Sequence, residues 1–287
     1  MPDDATWKPT PEARRRATTL RIIAWVLWVL AIAGEAVGIF WLLRQREPSE
    51  IVHDEATGVL VATEDVFPQW ALIVLIVLIV VIGVLAVGGS VLWKRANRLD
   101  PASKRDAVRF FLQNQLGAIV TVVAFLPLVV LIFTNKDMSA GQKALAGTVG
   151  VVVAAVAVVL GIDFDPPSVE RYTAERSTVV QLLGQDRVFW VEGGGVYHVC
   201  PEVSDIRNAT TAPGDGTTAQ AVEAGKSRLT LELESELHAC GLPVPENIDA
   251  IVDAIRAIQG GATETRLPAP VYADGVTPPF QPALAGV

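Results

Sequence analysis

Four long runs of apolar residues dominate the first 162 positions, at 20–43, 71–93, 110–133 and 144–162. Crossing the hydrocarbon of a bilayer takes roughly 20 apolar residues in a helix, since each residue adds about 1.5 Å. Every run is long enough, and the second and fourth carry no charge. A helix satisfies its own backbone polar groups, so four spanning helices are the natural solution in lipid. Buried helices of a soluble fold are the competing reading, but the stretch Leu78–Leu92 has no polar face to show to water. Arg14, Arg15 and Arg16 precede the first run as they would a secretory signal. That run is too long for a signal and has no small-residue cleavage site, so it is read as a retained helix.

After Ile162 the pattern changes. Asp163-Phe-Asp-Pro-Pro167 stops the fourth helix, because proline and the residue before it resist helical geometry. Ser168–Gly184 reads as a helix. Val188–Val191 and Val196–Val199 have strand composition, and Gly193–Gly195 supplies the turn of a hairpin. Thr210–Thr217 reads as a loop, and Thr218–Ala224 as a short helix closed by Gly225. Leu229–Cys240 fits both an alternating and a four-residue repeat; helix is preferred because Gly241 can terminate it. Pro243–Ile258 is a helix by the common face of Ile248, Ile251, Val252, Ile255 and Ile258. Residues 1–19 and 263–287 are expected to be disordered tails. The connection 44–69 contains two short apolar runs, Ile51–His53 and Val59–Ala62, that suit a small hairpin. The expected fold is thus a membrane all-α bundle of four helices over 20–162, followed by a small soluble α+β domain with a β-hairpin at 163–262.

Charge sets the orientation. Lys8, Arg14, Arg15, Arg16 and Arg21 flank the first helix, and Lys94, Arg95, Arg98, Lys104, Arg105 and Arg109 lie between the second and third. The 44–69 connection has two arginines against six acids. The positive-inside rule therefore puts the N-terminus in the cytoplasm, and four spans return the C-terminal domain to that side. Trp25, Trp28, Trp41, Trp70 and Trp93 fall near run ends, where interfacial aromatics belong. The net charge of −8 argues against a nucleic-acid partner.

Candidate chemistry is sparse. Glu35 is the ionisable residue well inside a span, about 21 Å along the helix from Arg21. It suits either a proton or cation site or a hydrogen bond to a neighbouring helix. Gln113, Asn114 and Gln115 open the third helix with Thr121 deeper, Pro127 is expected to kink that helix, and Ala146, Gly150 and Ala154 form a small-residue stripe for packing or self-association. Both cysteines and two of three histidines sit in two pairs, His198-x-Cys200 and His238-x-Cys240. Two sulfurs and two imidazoles suit zinc, but on a helix 238 and 240 diverge by about 200°. A Cys200–Cys240 disulfide would need a domain outside the cytoplasm. Buried thiols beside a satisfied core histidine are the third alternative. Gly193–Gly195 lacks the phosphate-loop pattern. No nucleophile–base–acid set and no cofactor fingerprint is visible.

The runs Trp93–Ser103, Phe110–Gly117 and Ala124–Leu128 resemble a set of uncharacterised four-span membrane proteins of Gram-positive bacteria, over residues 90–135. The resemblance implies the four-helix topology and no activity. The stretch Val188–His198 is also similar to the start of small domains whose strand–turn–strand ends in Tyr-His, with a cysteine a few residues later. Here that later position is Val203 and the cysteine comes early, which weakens a metal site. The expected role is a non-enzymatic membrane scaffold or sensor without cofactor, whose partners are the lipid bilayer and other membrane proteins. The alternative is a small transporter or accessory subunit using Glu35.

Overall fold

A computed structural model of the chain describes residues 6–48, 51–53, 60–62, 65–262 and 264–279. It divides into two compact units, Thr19–Arg95 with Leu112–Phe164, and Met1–Thr18 with Ala96–Phe111 and Asp165–Val287.

Each apolar run becomes a helix longer than itself: α1 Pro11–Phe40, α2 Gln69–Leu99, α3 Ala107–Thr134 and α4 Ala140–Gly161. Local chemistry sets several of these ends. Pro11 stands at the first position of α1, where its missing N–H costs nothing. Ser139 caps α4 by accepting from the Gln142 N–H, while the Gln142 side chain returns to the Ser139 N–H. Among the described residues these are four helices long and apolar enough to cross a membrane. Less than two fifths of each most apolar stretch is buried. Val77, Val84, Leu126 and Val156 are among the large side chains left exposed.

The helical unit packs around Leu75, Ile79, Ile82 and Ala86 of α2 and Ala124, Phe125, Leu128 and Ile132 of α3. Small residues set how closely helices approach. A Cβ at Gly161 would lie 2.8 Å from the Ala118 nitrogen and 2.9 Å from the Gly117 carbonyl carbon, so α3 and α4 cross backbone to backbone. In the stripe on α4, Ala146 is fully buried and a Cβ on Gly150 would lie 3.0 Å from Val129. That stripe is occupied by contacts inside its own unit. Lys94 donates to the Ile162 carbonyl at 2.6 Å, placing a cation at the negative end of α4. Trp25, Trp28 and Trp93 cluster with ring centroids 5.4–6.2 Å apart, and Trp41 stands 6.3 Å from Trp70. Between α1 and α2 lie β1 (Glu47–Pro48) paired with β4 (Asp65–Val66), and β2 (Ile51–His53) paired with β3 (Leu60–Ala62), all antiparallel. The turn expected at 55–58 and Val59 lie outside the described residues.

The other unit contains α5 Val169–Leu183, β5 Val188–Trp190, β6 Val196–Tyr197, α6 Ser204–Arg207, β7 Gly214–Gly216, α7 Thr218–Glu223, β8 Arg228–Leu229, α8 Leu233–Ala239 and α9 Ile248–Gln259. The expected hairpin narrows to one bridge, Phe189 with His198, joined by hydrogen bonds of 2.8 and 2.7 Å. β5 also pairs antiparallel with β7, and β6 pairs parallel with β8, so the order is β7-β5-β6-β8. Val179, Leu182, Val188, Tyr197, Leu229, Leu233, Leu237 and Ile251 form the core beneath.

Four expectations need correction. Residues 210–217 are not all loop: β7 is Gly-Asp-Gly, and the Trp190 ring lies where a Cβ on Gly214 would be, only 2.1 Å away. Residues 229–240 are not one helix: β8 ends at Leu229 and α8 covers only Leu233–Ala239, where the four-residue repeat holds. The N-terminal tail is ordered from Thr6, since Trp7 is 2% exposed and packs on Tyr172 and Val222. Thr10 donates to Glu223 at 2.5 Å, and α1 starts at the next residue. Residues 264–279 are held rather than loose. Val271 accepts from the Glu246 N–H and donates to Asn247, each at 2.8 Å, and Leu267 packs on the core. Residues 1–5, 263 and 280–287 of the expected tails lie outside the described residues.

Gly161→Ala should destabilise the detergent-solubilised protein by ~1–3 kcal/mol, since backbone atoms must move to admit the methyl. Gly141→Ala, whose Cβ would meet only Ser139 Oγ at 4.0 Å, should leave it unchanged. Equal melting temperatures for the two variants would contradict the close crossing.

Candidate functional site

The two His-x-Cys pairs lie on neighbouring segments, the extension of β6 and the end of α8. Cys200 and Cys240 form a disulfide, with Cα atoms 5.9 Å apart. One turn before Cys240, Glu236 inserts between the segments. Its Oε1 lies 2.8 Å from His198 Nδ1, and its Oε2 accepts the Val199 N–H at 2.8 Å. An ionised carboxylate only accepts, so the proton on that nitrogen belongs to the imidazole. His238 points elsewhere and is exposed, as the angular divergence along a helix requires. The metal reading of His198, Cys200, His238 and Cys240 is therefore corrected: both sulfurs are bonded to each other and the two histidines do not converge. Among the described residues no group of three or more His, Cys, Asp or Glu is arranged to hold a metal ion.

The disulfide closes a segment of sequence separation 40. In the chain-entropy picture, removing that loop freedom from the unfolded state is worth about 4 kcal/mol. Burial disfavours the charged form of His198, but the hydrogen bond and charge of Glu236 outweigh it. The net effect raises its pKa above the ordinary 6.5.

A second polar centre lies beneath the sheet. Glu175 is fully buried and takes Tyr197 Oη–H on one oxygen and Gln259 Nε2–H on the other at 2.9 Å. The Arg171 guanidinium stands 3.5 Å from it and also pairs with Asp165 at 2.9 Å. Burial pushes the Glu175 pKa up, and the Arg171 charge opposes it. Gln259 donates also to the Leu229 carbonyl at 3.0 Å, so α5, the sheet and α9 are joined through two side chains. A cleft of about 260 Å³ is lined by Trp7, Lys8, Arg176, Asp186 and Thr217. Two of its charges are paired, Arg176 standing 3.0 Å from Asp186, and the Thr218 N–H donates to the same carboxylate at 2.9 Å.

In the helical unit Glu35 is 5% exposed, and its Oε1 accepts the Leu128 N–H of α3 at 3.3 Å. Leu128 follows Pro127, which has no N–H and whose ring crowds the carbonyl four residues back. The carboxylate thus meets a backbone donor beside the proline of a helix that runs unbroken from Ala107 to Thr134, which is the hydrogen-bonded alternative for Glu35. Asn114 is buried, the Gln113 carbonyl accepts from Trp93 Nε1 at 2.6 Å, and Gln115 donates to the Asp163 carbonyl at 3.4 Å. Thr121 turns back on the Gly117 carbonyl at 2.8 Å.

Comparison with protein families, with curated proteins and with solved structures finds no match. Glu236, Glu175, Arg171 and Gln259 escaped the sequence reading. Helical phase was the available signal: Glu236 shares the face of Leu233 and Leu237, Glu175 that of Tyr172, Val179 and Leu182, and Gln259 that of Ile251 and Ile255.

The imidazolium of His198 contributes stability in full below pH 6.5 and loses it as pH rises through the raised folded-state value. Amide exchange of 196–200 should therefore accelerate as pH climbs above 6.5, beyond the intrinsic rate, and His198→Gln should remove that extra slope. An identical slope in the variant would exclude His198 as the titrating group.

Glu35→Ala should cost about 1–3 kcal/mol, because the buried contact of its carboxylate with the Leu128 N–H is lost. Glu35→Gln keeps an acceptor oxygen and should retain most of that stability. Thermal unfolding in detergent distinguishes them, and equal losses would point to charge instead of the hydrogen bond.

Proposed function

We propose that this chain is a non-enzymatic, multi-pass membrane protein whose small cytoplasmic domain is a sensing and interaction element built onto the ends of its first three helices. One observation carries this reading: Met1–Thr18, Ala96–Phe111 and Asp165–Val287 fold as one compact unit. The first two segments hold Arg14, Arg15, Arg16, Arg98, Lys104, Arg105 and Arg109, so the positive-inside rule favours the cytoplasm for the whole unit, against the Cys200–Cys240 bond, which as a permanent disulfide would favour the outside.

The links within that unit are specific. Trp7 N–H donates to Thr173 at 3.1 Å, Val169 N–H to the Ala102 carbonyl at 3.3 Å, and Tyr172 Oη–H to the Arg98 carbonyl at 3.3 Å. Glu170 takes the Ser103 hydroxyl and the Lys104 N–H. Burial works against the Glu170 carboxylate, but these hydrogen bonds outweigh it and hold its pKa below the usual range. A change in the domain is thereby felt at residues 7–10 and 98–104.

The polar side chains of the domain are engaged with one another: Glu236 with His198, Glu175 with Tyr197 and Gln259, Asp186 with Arg176. No nucleophile and base face a common space among them, which favours interaction over catalysis. Glu35 serves the backbone beside Pro127, which counts against a transport role.

A fluorescent protein fused at the C-terminus should be bright and alkaline phosphatase fused there inactive, while phosphatase inserted in the 44–69 connection should be active. An active C-terminal phosphatase would overturn the cytoplasmic assignment.

A further inference from the structure

We propose that Cys200–Cys240 is a reversible thiol–disulfide switch that sets how firmly α7 holds the start of α1. The inference rests on the cytoplasmic assignment above. Disulfides persist in oxidising compartments; in a compartment kept reduced by small thiols they are transient and regulatory. A bonded cysteine pair in a unit that folds together with the basic flanks therefore reads as a responsive bond.

The fold gives that bond something to control. It closes the chain from the end of β6 to the end of α8, and α7 lies inside the closed segment. From α7 and the residues beside it come Val222 and Ala219, which cover Trp7 and Tyr172, and Glu223, which accepts the Thr10 hydroxyl. The segment is thus both closed by the disulfide and clamped on the residues that precede α1. Opening the bond gives freedom back to the opened state of this segment, lowers the free energy of its local opening, and so weakens that clamp.

Two further features make the bond reversible. Cys240 is partly exposed whereas Cys200 is fully buried, so Cys240 is the side of the bond from which an incoming thiolate would attack. Glu236 holds His198 and Val199 independently of the sulfurs, so α8 stays beside β6 after reduction and the thiols remain neighbours. In reduction, a small-molecule thiolate attacks Cys240 Sγ, forming a mixed disulfide. Cys200 leaves as a thiolate and takes up a proton. A second small thiol then attacks the mixed disulfide, releasing the Cys240 thiol and a small-molecule disulfide that carries away the two-electron oxidation. Oxidation runs the same exchange backwards, with a small-molecule disulfide as oxidant.

The test uses the full-length protein in its own cells, acid-quenched and labelled with a maleimide–polyethylene glycol, beside the C-terminal reporter fusions. With a cytoplasmic reporter, both cysteines should label in growing cells, neither after a pulse of diamide, and both again after recovery. In purified protein, reduction should speed amide exchange in 6–12 and 217–224 by roughly tenfold or more, leaving α5 unchanged. The Cys200→Ser/Cys240→Ser double variant should match the reduced state without any thiol reagent. A cytoplasmic reporter with cysteines that stay bonded, or stay reduced under diamide, would overturn the switch and leave the topology standing. Unchanged exchange at 6–12 on reduction would overturn the coupling. An external reporter would overturn the topology, and the bond would then be a permanent brace.

Discussion

Helices whose outward faces are valine, leucine and isoleucine offer no hydrogen bonds to anything outside the chain, so each polar group inside the helical unit has to be matched from within. That constraint accounts for its irregular features. The proline in α3 deprives the backbone of a donor and disturbs a turn, and a carboxylate from α1 meets the N–H beside it. Trp28 Nε1 reaches the Ala86 carbonyl at 3.2 Å, and Ser90 bonds the same carbonyl at 2.9 Å. The last carbonyls of α4 have no helical partner, and Lys94 supplies one. Asn135 plays the same part for the Leu43 carbonyl at 3.0 Å.

The other unit uses the same logic on a smaller core. Its strands are two or three residues long, too short to stand as a sheet without other connections. Buried side chains supply them. Lys226, 5% exposed, donates to the Val191 and Gly194 carbonyls at 2.7 Å and so fixes the glycine turn between β5 and β6. Glu175 and Gln259 tie α5 to α9, Glu236 ties α8 to β6, and the disulfide repeats that last connection covalently. A domain of this size can rely on a few such ties where a larger one would rely on area.

The long elements were legible in the sequence because their signals are redundant. A run of twenty apolar residues, or five isoleucine and valine positions on one face of α9, survives any local ambiguity. The short elements were not. β7 is glycine on both sides of Asp215, so composition speaks for a loop, and only the ring of Trp190 lying across it explains why glycine is needed. Trp7 stands alone in a polar tail, and no local period announces that it is core. The Cys200–Cys240 pairing stood among open alternatives, since spacing alone did not separate it from thiols or ligands. Glu236 was hidden by its company: in Glu232-Leu-Glu-Ser-Glu236 three acids look alike, and only the helical phase singles out the one that points inward.

Trp7 and Thr10 take their partners from Thr173 and Glu223, 166 and 213 residues further along. At ordinary synthesis rates those partners emerge roughly ten to forty seconds after the residues that need them. The start of the chain is therefore made first and seated late. In that interval Arg14, Arg15 and Arg16 and the helix they open are already made, while the tryptophan ahead of them waits uncovered. Closure of this unit is in this sense a late step of assembly, since it needs both the first residues of the chain and residues beyond position 220.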